Sequence, residues 1–133
     1  MKPIIKKLDT IWAQLIKLRA KERCEICSRK DTLNSHHIFS RSSKCVRHDL
    51  DNGACLCALH HCLGNFSAHK SPIEFIETIK KKRGEKWYKD LRLRWNLSGR
   101  PDYKAIEIYL KSELEKYLCP PSKNSSAASA GIR

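Results

Sequence analysis

At the start of the chain, apolar residues recur at three- and four-residue steps: Ile4, Leu8, Ile11, Trp12, Leu15 and Leu18. That period lines one face of an amphipathic helix and predicts one over 3–21, with Lys6, Lys7, Lys17 and Arg19 largely off the apolar side. From Cys24 to about His69 the stripe vanishes, and histidine, cysteine and polar turn residues crowd together. The pattern there predicts a short strand over 33–39 and a polar loop over 41–53, with Asn52-Gly53 as its turn signal. A second short strand over 54–57 and a short helix from Ala58 to about Phe66 follow.

Helical spacing then returns. Ser71-Pro72-Ile73-Glu74 has the form of a capping-box start, and Ile73, Phe75, Ile76 and Ile79 supply an apolar face behind it. Gly84 interrupts after a basic run, Lys80 to Arg83. Trp87, Tyr88, Leu91 and Trp95 are in helical register over 85–95, and Ser98 to Pro101 breaks the pattern. Asp102 is placed to cap a last helix through Leu118, with Tyr103, Ile106, Leu110, Leu114 and Tyr117 on one side. Cys119-Pro120-Pro121 stops it, and residues 122–133, small and polar, are predicted to be a disordered tail. No internal repeat is found. Trp12, Trp87 and Trp95 all fall on helical stripes, where packing explains them better than base stacking does.

Each helix has one apolar face and none is apolar all round, so the faces must be buried against each other or against the His/Cys segment. The expected architecture is α+β. A single domain over 1–121 has a helix over 1–22, a metal-rich centre over 24–69 and a helical extension over 71–118.

Charge narrows the partners. The 133 residues carry 27 Lys and Arg against 14 Asp and Glu, a net +13, which favours a polyanion. On charge alone a merely basic protein is the alternative reading. No Lys/Arg-rich helix shows a broad exposed apolar face, and the apolar runs are too short to span a bilayer, so nucleic acid is preferred to membrane. The basic N-terminus is not followed by an apolar core and cleavage site, so no signal peptide is read. Seven cysteines without a secretory signal argue against a disulfide framework and for thiols available to a metal in the cytoplasm.

Cys24-Glu25-Ile26-Cys27 and, thirty residues further on, Cys57-Ala58-Leu59-His60 are paired knuckles. Together they offer the four N/S ligands of a structural Zn²⁺. Cys55, His61 and Cys62 lie close enough to compete for the fourth position. Ordinary buried thiols or a redox pair are the plainer alternatives for Cys24 and Cys27, but no βαβ context supports a thioredoxin-like pair. A DNA-reading finger would need an H-x₃₋₅-H pair, and a zinc deaminase its own His-x-Glu; neither is present.

If Cys57 and His60 hold zinc, His61 is left over. The order is then His36-His37, Asn52, His61, with fourteen residues between His37 and Asn52 and eight between Asn52 and His61. Neighbouring strand residues point to opposite faces, so His36 and His37 are suited to two different tasks. A neutral imidazole can take a proton from water near neutral pH, and an ion held by few protein groups keeps positions open for phosphate oxygens.

In these residues and this spacing the chain resembles the HNH endonucleases, also called His-Me finger or ββα-metal nucleases. It looks most like phage proteins, including recombination nucleases of the NinG/Rap type. The resemblance covers residues 24–69. It implies two strands and a helix around a catalytic divalent cation, bracketed by the zinc clasp. It also implies hydrolysis of double-stranded DNA to 5′-phosphate and 3′-hydroxyl ends, in a bacterial or phage-infected cell. His37 matches the general base, His36 and His61 the metal ligands, and Asn52 the residue that holds the His37 region. The family's further ligand falls on Asn65, a departure that leaves Asn65, water or His69 to complete the site. Such a ligand set suits Mg²⁺, Mn²⁺, Ni²⁺ or Zn²⁺. Arg41 and Arg47, in the loop between the strands, are candidates for phosphate contacts or for a solvated basic loop. A non-catalytic zinc-stabilised DNA-binding module, and a nuclease for branched DNA or RNA, are the alternative functions. No base-reading helix or protein partner is legible.

Overall fold

The computed structural model describes residues 2–119. The expected tail and the double proline before it lie outside the described residues.

Helix α1 (Pro3–Arg19) ends two residues before its expected boundary. Lys21 and Glu22 turn left-handed, with φ of 57° and 53°, and the Glu22 amide closes back on the Lys17 carbonyl at 2.8 Å. Reversals of this kind satisfy the last carbonyls of a helix. The buried face of α1 is Leu8, Trp12, Leu15 and Ile16. Ile16 was not on the expected stripe.

Strands β1 (Asn34–His37) and β2 (Gly53–Leu56) form one antiparallel pair, registered His36 opposite Ala54 and His37 opposite Gly53. A lone two-stranded pair is marginal in water. This one is held because each side meets a separate core. On one side Leu8, Trp12, Leu15, Ile16, Leu50, Cys55 and Leu110 pack together, joining α1 to α4 (Tyr103–Leu118). On the other, Cys24, Ala54, Leu56 and Cys57 pack with Phe75 and Ile79 of α2 (Pro72–Arg83). The chain is thus mainly helical with a small two-stranded sheet, and among the described residues no helix is long and apolar enough to cross a membrane.

Asn52-Gly53 is not the turn its sequence suggests. Leu50–Asn52 forms a single 3₁₀ turn capped by Asp49, and Gly53 starts β2 in extended backbone, φ −118°. The glycine serves close approach instead. A Cβ there would stand 2.2 Å from Ile16 Cδ1 and 2.9 Å from Trp12 Cζ2. Gly53→Ala is expected to destabilise the fold by about 1–3 kcal/mol through overpacking, measurable as a lower urea midpoint at unchanged slope.

The expected short helix after β2 is a five-residue π-turn, Leu59–Leu63. Ser71 occupies the N-cap of α2, but its hydroxyl donates to the Asn65 carbonyl at 2.5 Å and makes no bond to the helix, so the capping box is not formed. Gly84, at φ 95°, separates α2 from α3 (Glu85–Trp95), and Asp102 caps α4 by accepting from the Ala105 amide. Helix α3 is tied to the 3₁₀ turn by Arg94, which bonds Asp49 and Asp51, and by the Trp87 indole, which donates to the Asp51 carbonyl at 3.0 Å.

Candidate functional site

The first knuckle lies against the outer edge of β2. The Glu25 amide donates to the Cys55 carbonyl at 2.9 Å, and the Cys55 amide donates back to the Glu25 carboxylate at 2.7 Å. Arg83 at the end of α2 grips that carboxylate at 2.7 Å and the Gly53 carbonyl at 2.8 Å. Cys24 and Cys27 are thereby brought onto Cys57 and His60, which follow β2. Sulfurs ~2.3 Å from a tetrahedral zinc sit ~3.8 Å apart, and a sulfur and a ring nitrogen ~3.6 Å apart. Here Cys27 and Cys57 sulfurs are 3.7 Å apart, and His60 Nδ1 is 3.4 Å from Cys57 Sγ and 3.8 Å from Cys24 Sγ. The Cys₃His group can hold a metal such as zinc, with His60 as fourth ligand and not Cys55, Cys62 or His61. Burial opposes ionisation of Cys24, but the amides of Cys57, Cys27 and Ile26 outweigh it and hold the thiol below its usual range.

Residue 61 faces away from that group. His61 joins His36 of β1 and His69, their ligand atoms all within 4.8 Å of one another. His69 is brought back by its amide, which donates to the His61 carbonyl at 3.2 Å, so the π-turn and the loop after it deliver two imidazoles to one spot. The Nε2 atoms of His61 and His69 are 3.1 Å apart. Two ring nitrogens at that separation share a proton or a cation. Nitrogens ~2.0–2.1 Å from one ion lie ~3.3 Å apart in a tetrahedron and ~2.9 Å at adjacent octahedral corners, which brackets the observed spacing. Burial, with His61, His69 and His37 nearby, pulls His36 down to about 3, and burial and then His69 lower His61, so both rings keep their lone pairs at neutral pH. His36 rests edge-on against Phe75, while His69 is exposed, so the cluster opens to solvent on one side. Of the three ways left open to complete the site, Asn65, water or His69, the arrangement brings a ring from His69 to the cluster. Asn65 is exposed, and its backbone carbonyl accepts from the Ser71 hydroxyl.

His37 faces the other way, onto α1. Its ring stacks on Trp12 with centroids 3.9 Å apart and planes 8° from parallel. Its Nε2 lies 2.9 Å from the Arg47 carbonyl, which can only accept, so the neutral ring carries its proton on Nε2 and its lone pair on Nδ1. Burial lowers the pKa of His37, against the Arg47 carbonyl and Asp9, which raise it. Trp12 had been expected only as packing; it is also the shelf for this imidazole, a contact for which the sequence holds no local signal.

Asn52 is fully buried and works at one remove from the rings. Its Oδ1 accepts from the Phe39 amide at 2.6 Å, and its Nδ2 donates to the carbonyls of Phe39 and Val46, each at 3.0 Å. The side chain pins both ends of the loop that also carries the Arg47 carbonyl. Asn52→Ala would take its partner from the Phe39 amide and carbonyl, while the Val46 carbonyl keeps the Asp49 amide at 3.1 Å, and a loss of roughly 2–4 kcal/mol is expected in urea unfolding.

The two arginines part company. The Arg41 side chain is exposed in the loop. Arg47 is not a solvated loop cation: its guanidinium forks onto Asp9 of α1, Nε to Oδ1 at 2.8 Å and Nη2 to Oδ2 at 2.6 Å. His48 donates to the same carboxylate through Nε2, at 2.8 Å. Asp9 was missed from sequence, although it is the one acidic residue of α1 and so the one negative charge that helix offers the basic loop. No family model matches this chain, and no curated protein or solved structure matches it either.

Proposed function

We propose that the chain is a metal-dependent endonuclease of the HNH, ββα-metal type that hydrolyses DNA phosphodiester bonds. In this reading Cys24, Cys27, Cys57 and His60 hold a structural zinc, and His36, His61 and His69 hold a divalent cation. His37 takes the proton of the attacking water. The observation that carries the reading is the divergence of two adjacent rings on β1, His36 into a three-histidine cluster and His37 onto Trp12.

The Arg47 carbonyl fixes His37 with Nδ1 unprotonated, as a base requires, and the Trp12 face limits how the ring can turn. Asn52 is a positioning residue. It holds the loop from which the Arg47 carbonyl is offered and does not reach the reacting atoms. A cation among the three histidines would supply charge relief to the phosphate and to the leaving oxygen. The exposed side of the cluster and the net charge of +13 suit an approaching polyanion.

The test is incubation of the zinc-loaded protein with supercoiled plasmid across Mg²⁺, Mn²⁺, Ni²⁺ and Zn²⁺. Nicking that requires one of these ions is expected. Retardation of the plasmid without nicking under every ion would favour a DNA-binding module instead.

A further inference from the structure

Two residues beyond His37, the chain builds a surface that the hydrolytic site does not use. Phe39 stacks on Trp95 of α3 with centroids 4.9 Å apart and planes within 12°. Tyr88 lies alongside Phe39 at 6.2 Å and 21°. The Trp95 indole is anchored by its N–H to the Ser43 hydroxyl at 2.9 Å, yet the residue is 39% exposed. Among the described residues no second ring and no cation covers it. Expectation placed Trp95 in packing; a core tryptophan would be covered on both faces, as Trp12 is at 1% exposed.

The surroundings are cationic. The loop that anchors the indole carries Arg41 and Lys44, both exposed, and Arg92 lies over the Tyr88 ring at 5.8 Å. A partly exposed flat ring, with no second ring or cation stacked on it, beside unneutralised cations is what unpaired bases need. Every base has a π-face to stack, and its phosphate requires a counter-charge. A duplex offers no such face, because its bases are stacked on one another. The distance to the site is short: Phe39 Cα can be no further than about 7.6 Å from His37 Cα, two backbone steps.

We propose that Trp95, backed by Phe39, is a stacking platform for an unpaired base of the DNA strand being cut, with Arg41 and Lys44 on the adjoining phosphates. The address beside the cleaved bond rests on the hydrolase reading; the platform itself does not. The substrate class that follows is DNA with an unpaired segment next to the scissile phosphate, over fully paired duplex.

The experiment uses the zinc-loaded full chain without added divalent ion, and short single-stranded and blunt duplex oligonucleotides. Trp95→Ala is expected to weaken single-strand binding roughly tenfold, with little change for duplex. Trp95→Phe is expected to restore most of that affinity while removing the larger part of the tryptophan quenching that the single strand causes in wild type. Because Trp95→Phe keeps a stacked ring, it decides the matter even if Trp95→Ala does not fold. Undiminished quenching in Trp95→Phe, or equal loss for single strand and duplex in Trp95→Ala, would overturn the platform. Plasmid nicking is scored separately. Nicking with a failed platform leaves the hydrolase reading standing, and a working platform without nicking leaves a single-strand-binding surface on a non-cleaving protein.

Discussion

Cys57→Ser is expected to unfold the protein, and a strong chelator to do the same to wild type. The Cys₃His group joins a knuckle that precedes β1 to one that follows β2, so it closes the sheet and the second core together. That core is thin: its buried large side chains are Leu56, Phe75 and Ile79, with its other buried members cysteine and alanine. Zinc bound by such a set contributes about 10–16 kcal/mol in small domains, against a typical net stability of about 5–15 kcal/mol, so its loss leaves little or nothing. Circular dichroism, followed while a chromophoric chelator reports released zinc, should show helix loss in step with the metal. A metal-free chain with an unchanged spectrum and melting transition would contradict the structural assignment.

The second large effect is on chemistry and leaves the fold in place. His37→Ala is expected to slow cleavage by ~10²–10⁴-fold, the usual contribution of a positioned base. Little else should move. The ring is half-buried, and what it gives up is a stack on Trp12 and one bond to the Arg47 carbonyl, together of order 1–2 kcal/mol. His36, the zinc ligands and the exposed cations are untouched, so zinc content and DNA affinity should match wild type. Single-turnover cleavage beside equilibrium binding separates the two quantities. Cleavage at the wild-type rate would remove His37 from the reaction.

How much of this was legible follows from what sets each feature. The helices were, because a stripe such as Ile73, Phe75, Ile76 and Ile79 encodes which face is buried. So was the Cys₃His group, since two knuckles set the number of candidate ligands and their rough spacing. The opposed aims of His36 and His37 follow from strand alternation alone. What failed involved groups distant in sequence. Nothing local marks Arg47 as bound to Asp9, thirty-eight positions away, and a basic loop looks the same whether or not a helix neutralises it. His69 over Asn65 was open because the π-turn changes which residue returns to His61, and periodicity does not register a single wide turn. Asn52-Gly53 has turn composition, but here the asparagine amide is spent on Phe39 and Val46 and the glycine makes room for Ile16. Trp95 sat on a correct helical stripe; its exposure depends on where that helix docks.

A second cation is expected to seat among His36, His61 and His69, apart from the metal of the Cys₃His group. Anomalous diffraction from crystals of the zinc-loaded protein soaked in Mn²⁺, recorded at the manganese and zinc edges, measures this directly. A zinc peak within the Cys₃His group and a separate manganese peak bonded to all three histidine rings are expected. Zinc alone, with the rings of His36 and His61 turned away from each other or drawn into the thiol cluster, would contradict that expectation.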